Sequence, residues 1–215
     1  WFETDRADID YSIYEGELCV KEFHSSDKID QDSLANSIQE NKNKLNLLRG
    51  QKVELEPGEY DAYFSPSAVN EMLGMFNWYG LQGKAFAEKQ SVFMDLFDGK
   101  KSLSPKFSLR GNFDLMLSPS FNSEAKESER IVDLIKGGEL VQPLVSSLSA
   151  RKYGYDSNNA ELSETLRSSE LLEGEISEAD LINELSPGLY ISDLHYLNWS
   201  NRKSASITGM TRYGC

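Results

Sequence analysis

Residues 57–75 read PGEYDAYFSPSAVNEMLGM, and this stretch sets the clearest element boundaries in the chain. Pro57-Gly58 favours a turn, and the residues after it favour a strand. Ser65 can accept hydrogen bonds from the free N–H groups of a new helix, and Pro66 suits the first helical position because its missing donor would have no partner there. The helix should bury an apolar stripe formed by Val69, Met72, Leu73 and Phe76.

The same helix carries the outline of a metal-binding motif at Asn70, Glu71 and Met75. Two ligands about one turn apart, with a glutamate beside the first, are how a helix presents a zinc ion and a general base. Amides and thioethers are poor ligands for Zn²⁺. Asn70 and Met75 therefore have the spacing of a metal-binding pair but not suitable ligand atoms. We therefore predict no catalytic, cofactor-binding or metal-binding residue in this window. Met72 and Met75 are then either packing residues or liners of a peptide channel.

Outside this stretch, hydrophobic periodicity predicts strands, then helices, then strands. Asp8–Val20 alternates, with Ile9, Tyr11 and Ile13 on one face, as a half-buried strand should. The other predicted elements are a polar helix at Asp30–Leu48 closed by Gly50, a helix or extended arm at Lys84–Phe97, a hairpin at Gly137-Gly138 with its returning strand shortened by Pro143, a capped helix from Ser177 to Leu185, and a strand at Leu189–Leu194. This order predicts an α+β fold with mixed, mostly antiparallel sheets and a few helices.

Three blocks of sequence resemble one known family. The first is residues 57–69, the second reads DLIKGGELVQPL at 133–144 and SARKYG at 149–154, and the third reads PGLYISDL at 187–194 and SITGMTRYG at 206–214. In order and spacing they resemble the TldD/PmbA family, whose members have been described as metallopeptidase subunits and as modulators of DNA gyrase. The resemblance implies a fragment made of the end of a strand-helix domain at 1–50, a linker at 51–56, and a C-terminal domain of the TldD/PmbA type at 57–215, incomplete at its C-terminus.

The resemblance also carries an expectation about function. TldD-like chains have a His-Glu-x-x-x-His helix and PmbA-like chains lack it, so Asn70, Glu71 and Met75 make this chain similar to PmbA-like members. That implies a non-catalytic, metal-free subunit, without a cofactor, of a proteolytic complex that degrades or processes unfolded peptides. Its partner would be a TldD-like zinc-bearing subunit or a second copy in a dimer. Two alternatives stay open: a stand-alone peptide-binding or regulatory module, and, less favoured, a metallopeptidase whose site lies outside this sequence.

Charge argues against nucleic acid as a direct partner. The chain has 22 Lys and Arg against 35 Asp and Glu, a formal net charge of −13, which repels phosphate backbones. The one candidate basic patch is Arg202-Lys203 with Arg212. Acidic residues concentrate between Glu161 and Glu184, as either a solvated surface or a docking face for a basic partner.

Apolar runs, the first residues and the cysteines indicate the cellular compartment. No apolar run reaches the ~18 residues of a membrane helix, and the first residues show no signal pattern. Cys19 and Cys215 have no paired spacing, which suits a reducing compartment and gives no metal cluster. We therefore expect a cytoplasmic protein that does not contact a membrane.

Other motifs that could carry chemistry are weak. His24 and His195 are too far apart in sequence to form a helical ligand pair. Asp193 and His195 should share a strand face, but no serine or cysteine nucleophile motif lies nearby. Residues 80–85 have neither the spacing nor the hydroxyl of a phosphate loop. The sequence therefore predicts structural or surface roles for these residues.

Overall fold

The structure is a computed structural model that describes residues 1–26, 28, 30–50, 53–177, 180–181, 184 and 188–211, except the side chain of Leu47. The chain forms two compact units. The first contains Trp1–Glu71, Ile176–Tyr196 and the chain from Gly209 onward, and the second contains Met72–Glu175 and Leu197–Thr208. Helices and strands are mixed, and most strand pairs are antiparallel, which confirms the predicted α+β fold.

The first unit opens with an antiparallel hairpin of β1 (Ala7–Glu15) and β2 (Leu18–Ser26). Burial alternates along β1 as its sequence predicts. The predicted single strand from Asp8 to Val20 is wrong beyond Glu15, because the chain reverses at Gly16. Gly16 has a φ of +60°, a conformation that glycine adopts without steric cost. Two strands therefore occupy the place of one.

Helix α1 (Gln31–Leu47) confirms the helix predicted at Asp30–Leu48. Asp30 is its N-cap and accepts a hydrogen bond from the Asp32 N–H at 3.1 Å. The helix ends at Leu48 in a right-handed conformation, so Gly50 does not close it. The reason is that the Leu48 N–H already bonds to the carbonyls of Lys44 and Asn46.

Polar contacts at Tyr11 help to fix α1 on the hairpin, together with an ion pair between Lys44 and Glu22. The Asn41 amide is 2% exposed and donates to the Tyr11 hydroxyl at 2.6 Å. The same hydroxyl lies 2.7 Å from the Ser37 hydroxyl. Leu45 is buried in the apolar stripe of the helix, as predicted. A tyrosine in the middle of β1 thus connects the strand to two turns of the helix.

Residues 57–75 contain the predicted strand and helix. Strand β3 (Ala62–Phe64) pairs in parallel with β8 (Leu189–Ile191), a pairing that the sequence did not predict. Helix α2 (Pro66–Met75) follows directly. The Ser65 hydroxyl accepts from the Ala68 N–H at 3.3 Å and donates to the Ser192 carbonyl at 2.5 Å. Ser65 therefore caps the helix, as predicted. Its hydroxyl also connects the start of the helix to the segment that follows β8.

The second unit is built on a four-stranded antiparallel sheet with the strand order β6-β5-β4-β7. Its strands are β4 (Leu109–Asn112), β5 (Ile131–Lys136), β6 (Glu139–Leu140) and β7 (Ser169–Leu171). Its short helices are α3 (Gly83–Ala87), α4 (Met94–Phe97) and α5 (Ser147–Tyr153), with a 3-10 turn at Phe113–Leu115. Leu109, Leu134 and Ile135 are the most deeply buried residues of the sheet. Strands β9 (His195–Asn201) and β10 (Ser206–Met210) form a separate two-stranded sheet.

The turn between β5 and β6 confirms the predicted glycine hairpin. Gly137 and Gly138 have φ values of +56° and +82°, and Lys136 pairs with Glu139 across the turn. Both central residues of this turn type need positive φ, which is why two glycines stand there. Strand β6 is only two residues long. That length agrees with the limit predicted from Pro143.

The single helix or arm predicted at Lys84–Phe97 is instead two short helices, α3 and α4. The chain turns at Lys89, which has a φ of +55°. The turn brings the Phe86 ring against the Phe97 ring, with centroids 4.9 Å apart. Phe93 meets Phe76 edge to face at 4.8 Å. Aromatic packing therefore overrides helix continuation in this segment.

Parts of three predicted elements lie outside the described residues. The Ser177 hydroxyl accepts from the Asp180 N–H at 3.2 Å, as in the predicted cap, but Leu185 and Pro187 are not described. In the predicted linker, Gln51 and Lys52 are not described either. Residues 53–56 of the linker form neither helix nor strand. Arg212, Tyr213, Gly214 and Cys215 also lie beyond the described chain. The strand predicted at Leu189–Leu194 ends at Ile191.

A buried carboxylate connects three segments of the second unit. Glu164 is 2% exposed. One of its oxygens accepts from the Lys84 N–H at 2.8 Å, in the first turn of α3. The other accepts from the N–H and hydroxyl of Ser146, the N-cap of α5, at 2.9 and 3.0 Å. The acidic stretch from Glu161 was predicted to be a solvated surface or a docking face. Glu164 departs from both readings because its carboxylate bonds inside the protein, whereas the later acid Glu173 is exposed, as a solvated surface predicts.

We expect Gly138→Ala to destabilise the protein more than Gly137→Ala. Both residues have positive φ, which costs a non-glycine residue about 1–2 kcal/mol. A Cβ at Gly138 would lie 2.4 Å from the Leu103 carbonyl oxygen, whereas one at Gly137 would lie 3.8 Å from the Pro105 oxygen. Urea unfolding of both variants measures the difference. Equal losses would show that the contact with Leu103 is not a real constraint.

We expect Glu164→Gln to lower the free energy of unfolding by about 1–3 kcal/mol. The glutamine oxygen can keep the Ser146 donors, but its NH₂ group then faces the Lys84 N–H, so two donors oppose each other. Glu173→Gln is the matched control, because it removes the same charge from an exposed position. Urea unfolding of the two variants compares their losses of stability. An equal effect of both would mean that net charge, and not the buried bonds, sets the stability.

Candidate functional site

The ligand-like positions of α2 lie in contrasting environments. Asn70 and Glu71 belong to the first unit and are solvent-exposed. Met75 belongs to the second unit and is buried, and Met72 is half-buried. A buried thioether behaves as a packing group. Of the two roles predicted for Met75, packing is the one that its burial supports.

No alternative metal-binding cluster appears in the part of the chain that the structure describes. Within it, no group of three or more His, Cys, Asp and Glu residues lies close enough together to hold an ion. His24 lies in β2, and its Nε2 is buried without a hydrogen-bond partner. His195 begins β9, whereas Asp193 lies between β8 and β9. The prediction that Asp193 and His195 share a strand face is therefore wrong, because the parallel pair β3–β8 ends at Ile191.

The second unit contains a cavity of about 390 Å³. It lies between α3, α5 and the loops at residues 77–82 and 162–164. The buried carboxylate of Glu164 bonds to the beginnings of both helices and so fixes the two sides of the cavity. Most of the lining is polar, the large apolar and aromatic side chains are Trp78, Tyr79, Leu148 and Leu162, and the charged ones are Lys84, Glu88 and Glu164.

An aromatic turn forms one rim of this cavity. Tyr79 has a φ of +61°, a left-handed conformation that is rare for a bulky residue. Its carbonyl accepts from the Val92 N–H at 2.8 Å. The Arg202 guanidinium lies 3.9 Å from the centre of its ring, and the Trp199 indole donates to the Trp78 carbonyl at 2.7 Å. Several tertiary contacts thus hold this strained turn in one conformation.

The loop after this turn packs too tightly to bind phosphate. A Cβ on Gly80 would lie 2.4 Å from the Phe76 carbonyl oxygen. The Gly83 N–H donates to the Leu144 carbonyl at 2.7 Å, so it is not free for a ligand. The Gln82 amide donates to the Asn77 carbonyl. Gly80 and Gly83 are therefore needed for close packing of the backbone. Their role differs from that of the glycines in a phosphate loop.

Charged groups of both signs line the cavity: the cation Lys84, the exposed carboxylate of Glu88 and the buried carboxylate of Glu164. The Lys84 ammonium is exposed. The Tyr153 hydroxyl donates to the Glu88 carboxylate and holds the pKa of that carboxyl below its usual value, and the nearby Lys84 and Lys152 act in the same direction. Glu88 is therefore ionised at neutral pH and stands close to these cations. One cation against two carboxylates does not favour an anionic ligand.

One hydroxyl group on the cavity wall has a structural role. The Ser146 hydroxyl lies on the cavity wall, but it donates to Glu164 and accepts from the Ser149 N–H at 3.2 Å. It is therefore a helix cap and not a nucleophile activated by a base. Sequence reasoning did not find this cavity. The one local signal was the pair Trp78-Tyr79 before Gly80, two large aromatic residues next to a residue type that favours turns.

No helix in the described portion of the chain is long and apolar enough to cross a membrane.

Comparison with solved structures shows the same fold in three proteins. TldE from Thermococcus kodakarensis superposes with a TM-score of 0.70 and 15% identity, over 97% of this chain and 50% of its own. A candidate modulator of DNA gyrase from Bacteroides thetaiotaomicron gives 0.68 and 18%, over 96% and 49%. A candidate modulator of a DNA gyrase from Thermotoga maritima gives 0.67 and 16%, over 88% and 45%. The chain thus spans about half the length of each relative.

No curated protein matches the sequence. The sequence pattern of one family does match, the PmbA/TldA metallopeptidase C-terminal domain, over residues 57–215. The predicted resemblance is confirmed by that match and by the shared fold. Since the match covers well over half of the sequence, this chain belongs to the PmbA/TldD family of metallopeptidase-related proteins.

Proposed function

We propose that this chain is a non-catalytic, metal-free subunit of a PmbA/TldD-type proteolytic assembly. In this proposal it holds unfolded peptide while a zinc-bearing partner hydrolyses it. One observation carries the proposal: the positions where TldD-like chains have histidines hold an exposed amide, Asn70, and a buried thioether, Met75. Neither group suits Zn²⁺, and burial in the second unit gives Met75 a packing role instead.

In this proposal, Glu71 does not act as a general base. In a zinc peptidase, the glutamate beside the first ligand acts on metal-bound water. Here the donor set beside Glu71 does not fit a zinc ion, so the carboxylate has no such water to activate. Glu71 is also exposed, an ordinary environment for a helix glutamate. The catalytic step is therefore assigned to the partner.

The proposal extends to partner and compartment. The family description names a metallopeptidase, and one structural relative is called TldE. We propose a TldD-like subunit as the partner, with self-association as a dimer as the alternative, in the cytoplasm. Cys19 is buried in β2 as a free thiol, which suits a reducing compartment.

Two other functions make different predictions. A stand-alone peptide-binding or regulatory module would use the cavity of the second unit without any proteolytic partner. A metallopeptidase with its site outside this sequence would hydrolyse peptide without a partner once the whole protein is present. The first alternative draws support from the cavity, because its walls need no second chain.

The proposal predicts that hydrolysis appears only in a mixture. We expect no cleavage of a fluorogenic unfolded peptide by this protein alone. Addition to a TldD-like partner should raise the partner's rate by about tenfold or more, because a held peptide has a high effective concentration near the site. Gel filtration should show a complex, and chelation should abolish the activity.

The control for this experiment is Glu71→Gln in this chain, which should leave the rate of the mixture unchanged. Chelator-sensitive cleavage by this protein alone, lost in Glu71→Gln, would establish a metallopeptidase in its own right. Absence of both a complex and a rate increase would support the stand-alone module.

The proposal also predicts no binding to duplex DNA at ~50 mM salt, a condition that favours any basic patch. The guanidinium of Arg202 is already engaged, stacked on Tyr79 and donating to the Gln90 carbonyl at 2.6 Å. Arg212 lies outside the described residues. A gel-shift titration checks this expectation. Salt-sensitive retardation at micromolar protein, lost when Arg202 and Lys203 are replaced, would indicate direct nucleic-acid contact.

A further inference from the structure

The cavity of the second unit has an apolar rim that the fold does not use. Trp78 and Leu148 are 48% and 54% exposed, and Leu162 is exposed beside them. Scattered exposed leucines are ordinary, but these three line the same cavity. Exposed apolar side chains beside a concave surface, with polar groups in the same lining, are characteristic of ligand sites.

The rim is held in place before any ligand arrives. The strained Tyr79 backbone is maintained by the Val92 N–H and by the Arg202 guanidinium, and the Trp199 indole bonds to the neighbouring carbonyl. On the other side, Leu148 lies in α5, whose N-cap is bonded to Glu164. A ligand that enters therefore orders few side chains, which lowers the entropic cost of binding.

Size and charge limit the occupant. The cavity volume of about 390 Å³ lies near the lower end of the roughly 300–1,000 Å³ typical of ligand pockets. Lys84 and Glu88 stand at its edge with opposite charges. They can face the carbonyl and N–H groups of a neutral backbone, whereas a phosphate or a dianion would lie near Glu88 without a cluster of cations to offset it.

We infer that this cavity binds a large apolar side chain, such as Phe or Leu, of an extended peptide. The apolar rim takes the side chain, and Lys84 and Glu88 flank the peptide backbone. The inference rests on the proposed function and makes it specific: unfolded segments are held through an apolar residue. Folded proteins bury such residues, so the cavity would select unfolded chains.

The test is a titration of the whole protein followed by fluorescence anisotropy. The probe is a fluorescein-labelled peptide of Gly and Ser with a single central Phe, and the comparison peptide has Ser at that position. We expect the Phe peptide to bind at least about tenfold more tightly, the scale of burying one aromatic side chain. Equal affinity of the two peptides would overturn the inference.

Matched variants assign the binding to this cavity. Leu148→Asp places a charge on the rim, whereas Leu117→Asp makes the same change at a leucine that is 46% exposed and does not line the cavity. We expect Leu148→Asp to weaken the Phe peptide about tenfold and Leu117→Asp to weaken it less than about twofold. An unchanged affinity in Leu148→Asp, or an equal loss in both variants, would overturn the inference.

Tryptophan emission gives a second readout. In a Trp1→Phe background, Trp78 is the exposed indole that remains, because Trp199 is buried. Bound peptide should shift its emission to shorter wavelength, and Trp78→Phe should remove the shift. A shift that persists in Trp78→Phe would place the peptide elsewhere.

Failure of this inference is distinct from failure of the proposed function. Peptide that binds in the cavity, in a protein that gives no rate increase with a TldD-like partner, rejects the proposed function and retains the inference. A rate increase that survives Leu148→Asp unchanged rejects the inference and retains the proposed function.

Discussion

The cavity of the second unit depends on the buried carboxylate of Glu164. Removing a carboxylate from water is costly unless hydrogen bonds replace the lost solvation. Here two N–H groups and one hydroxyl supply those bonds, and the N–H groups come from the beginnings of α3 and α5. The first N–H groups of a helix have no partner within the helix, so they are available to satisfy a buried carboxyl group. This one side chain thereby sets the relative position of α3 and α5, which are too short to maintain that position by themselves.

A second constraint places the aromatic rim. Short helices gain little stability from their own hydrogen bonds, so the turn between α2 and α3 needs tertiary contacts. Tyr79 receives them from Val92 and from Arg202, and Trp78 from Trp199. Arg202, which the sequence suggested as part of a basic patch, is instead a support for an aromatic ring. The charge of a residue is a poor guide to its role when a ring face lies within reach.

Local signals in the sequence predicted the local parts of this fold. Ser65 with Pro66 gave the start of α2, Asp30 gave the start of α1, and Gly137-Gly138 gave the β5–β6 hairpin. Each depends on groups within a few residues, so periodicity and turn chemistry sufficed. The turn at Gly16 was missed although the alternation of polar and apolar residues stops at Glu15, because Gly16 has no Asn, Asp or second Gly beside it to mark a hairpin.

Non-local contacts explain what sequence reasoning missed. The parallel pairing of β3 with β8 joins residues more than 120 positions apart, and no spacing rule connects them. Glu164 looked like one more acid in an acidic stretch, and its donors at Lys84 and Ser146 are distant in sequence. The family resemblance was confirmed because its blocks are long and ordered.

The central claim is that the ligand-like positions of α2 do not bind zinc. Elemental analysis of the purified full-length protein, after dialysis against metal-free buffer and back-titration with Zn²⁺, tests it most directly. The account predicts zinc far below one equivalent in the parent, with no further decrease in Glu71→Gln. One tightly held equivalent that is lost in Glu71→Gln or Asn70→Ala would contradict it.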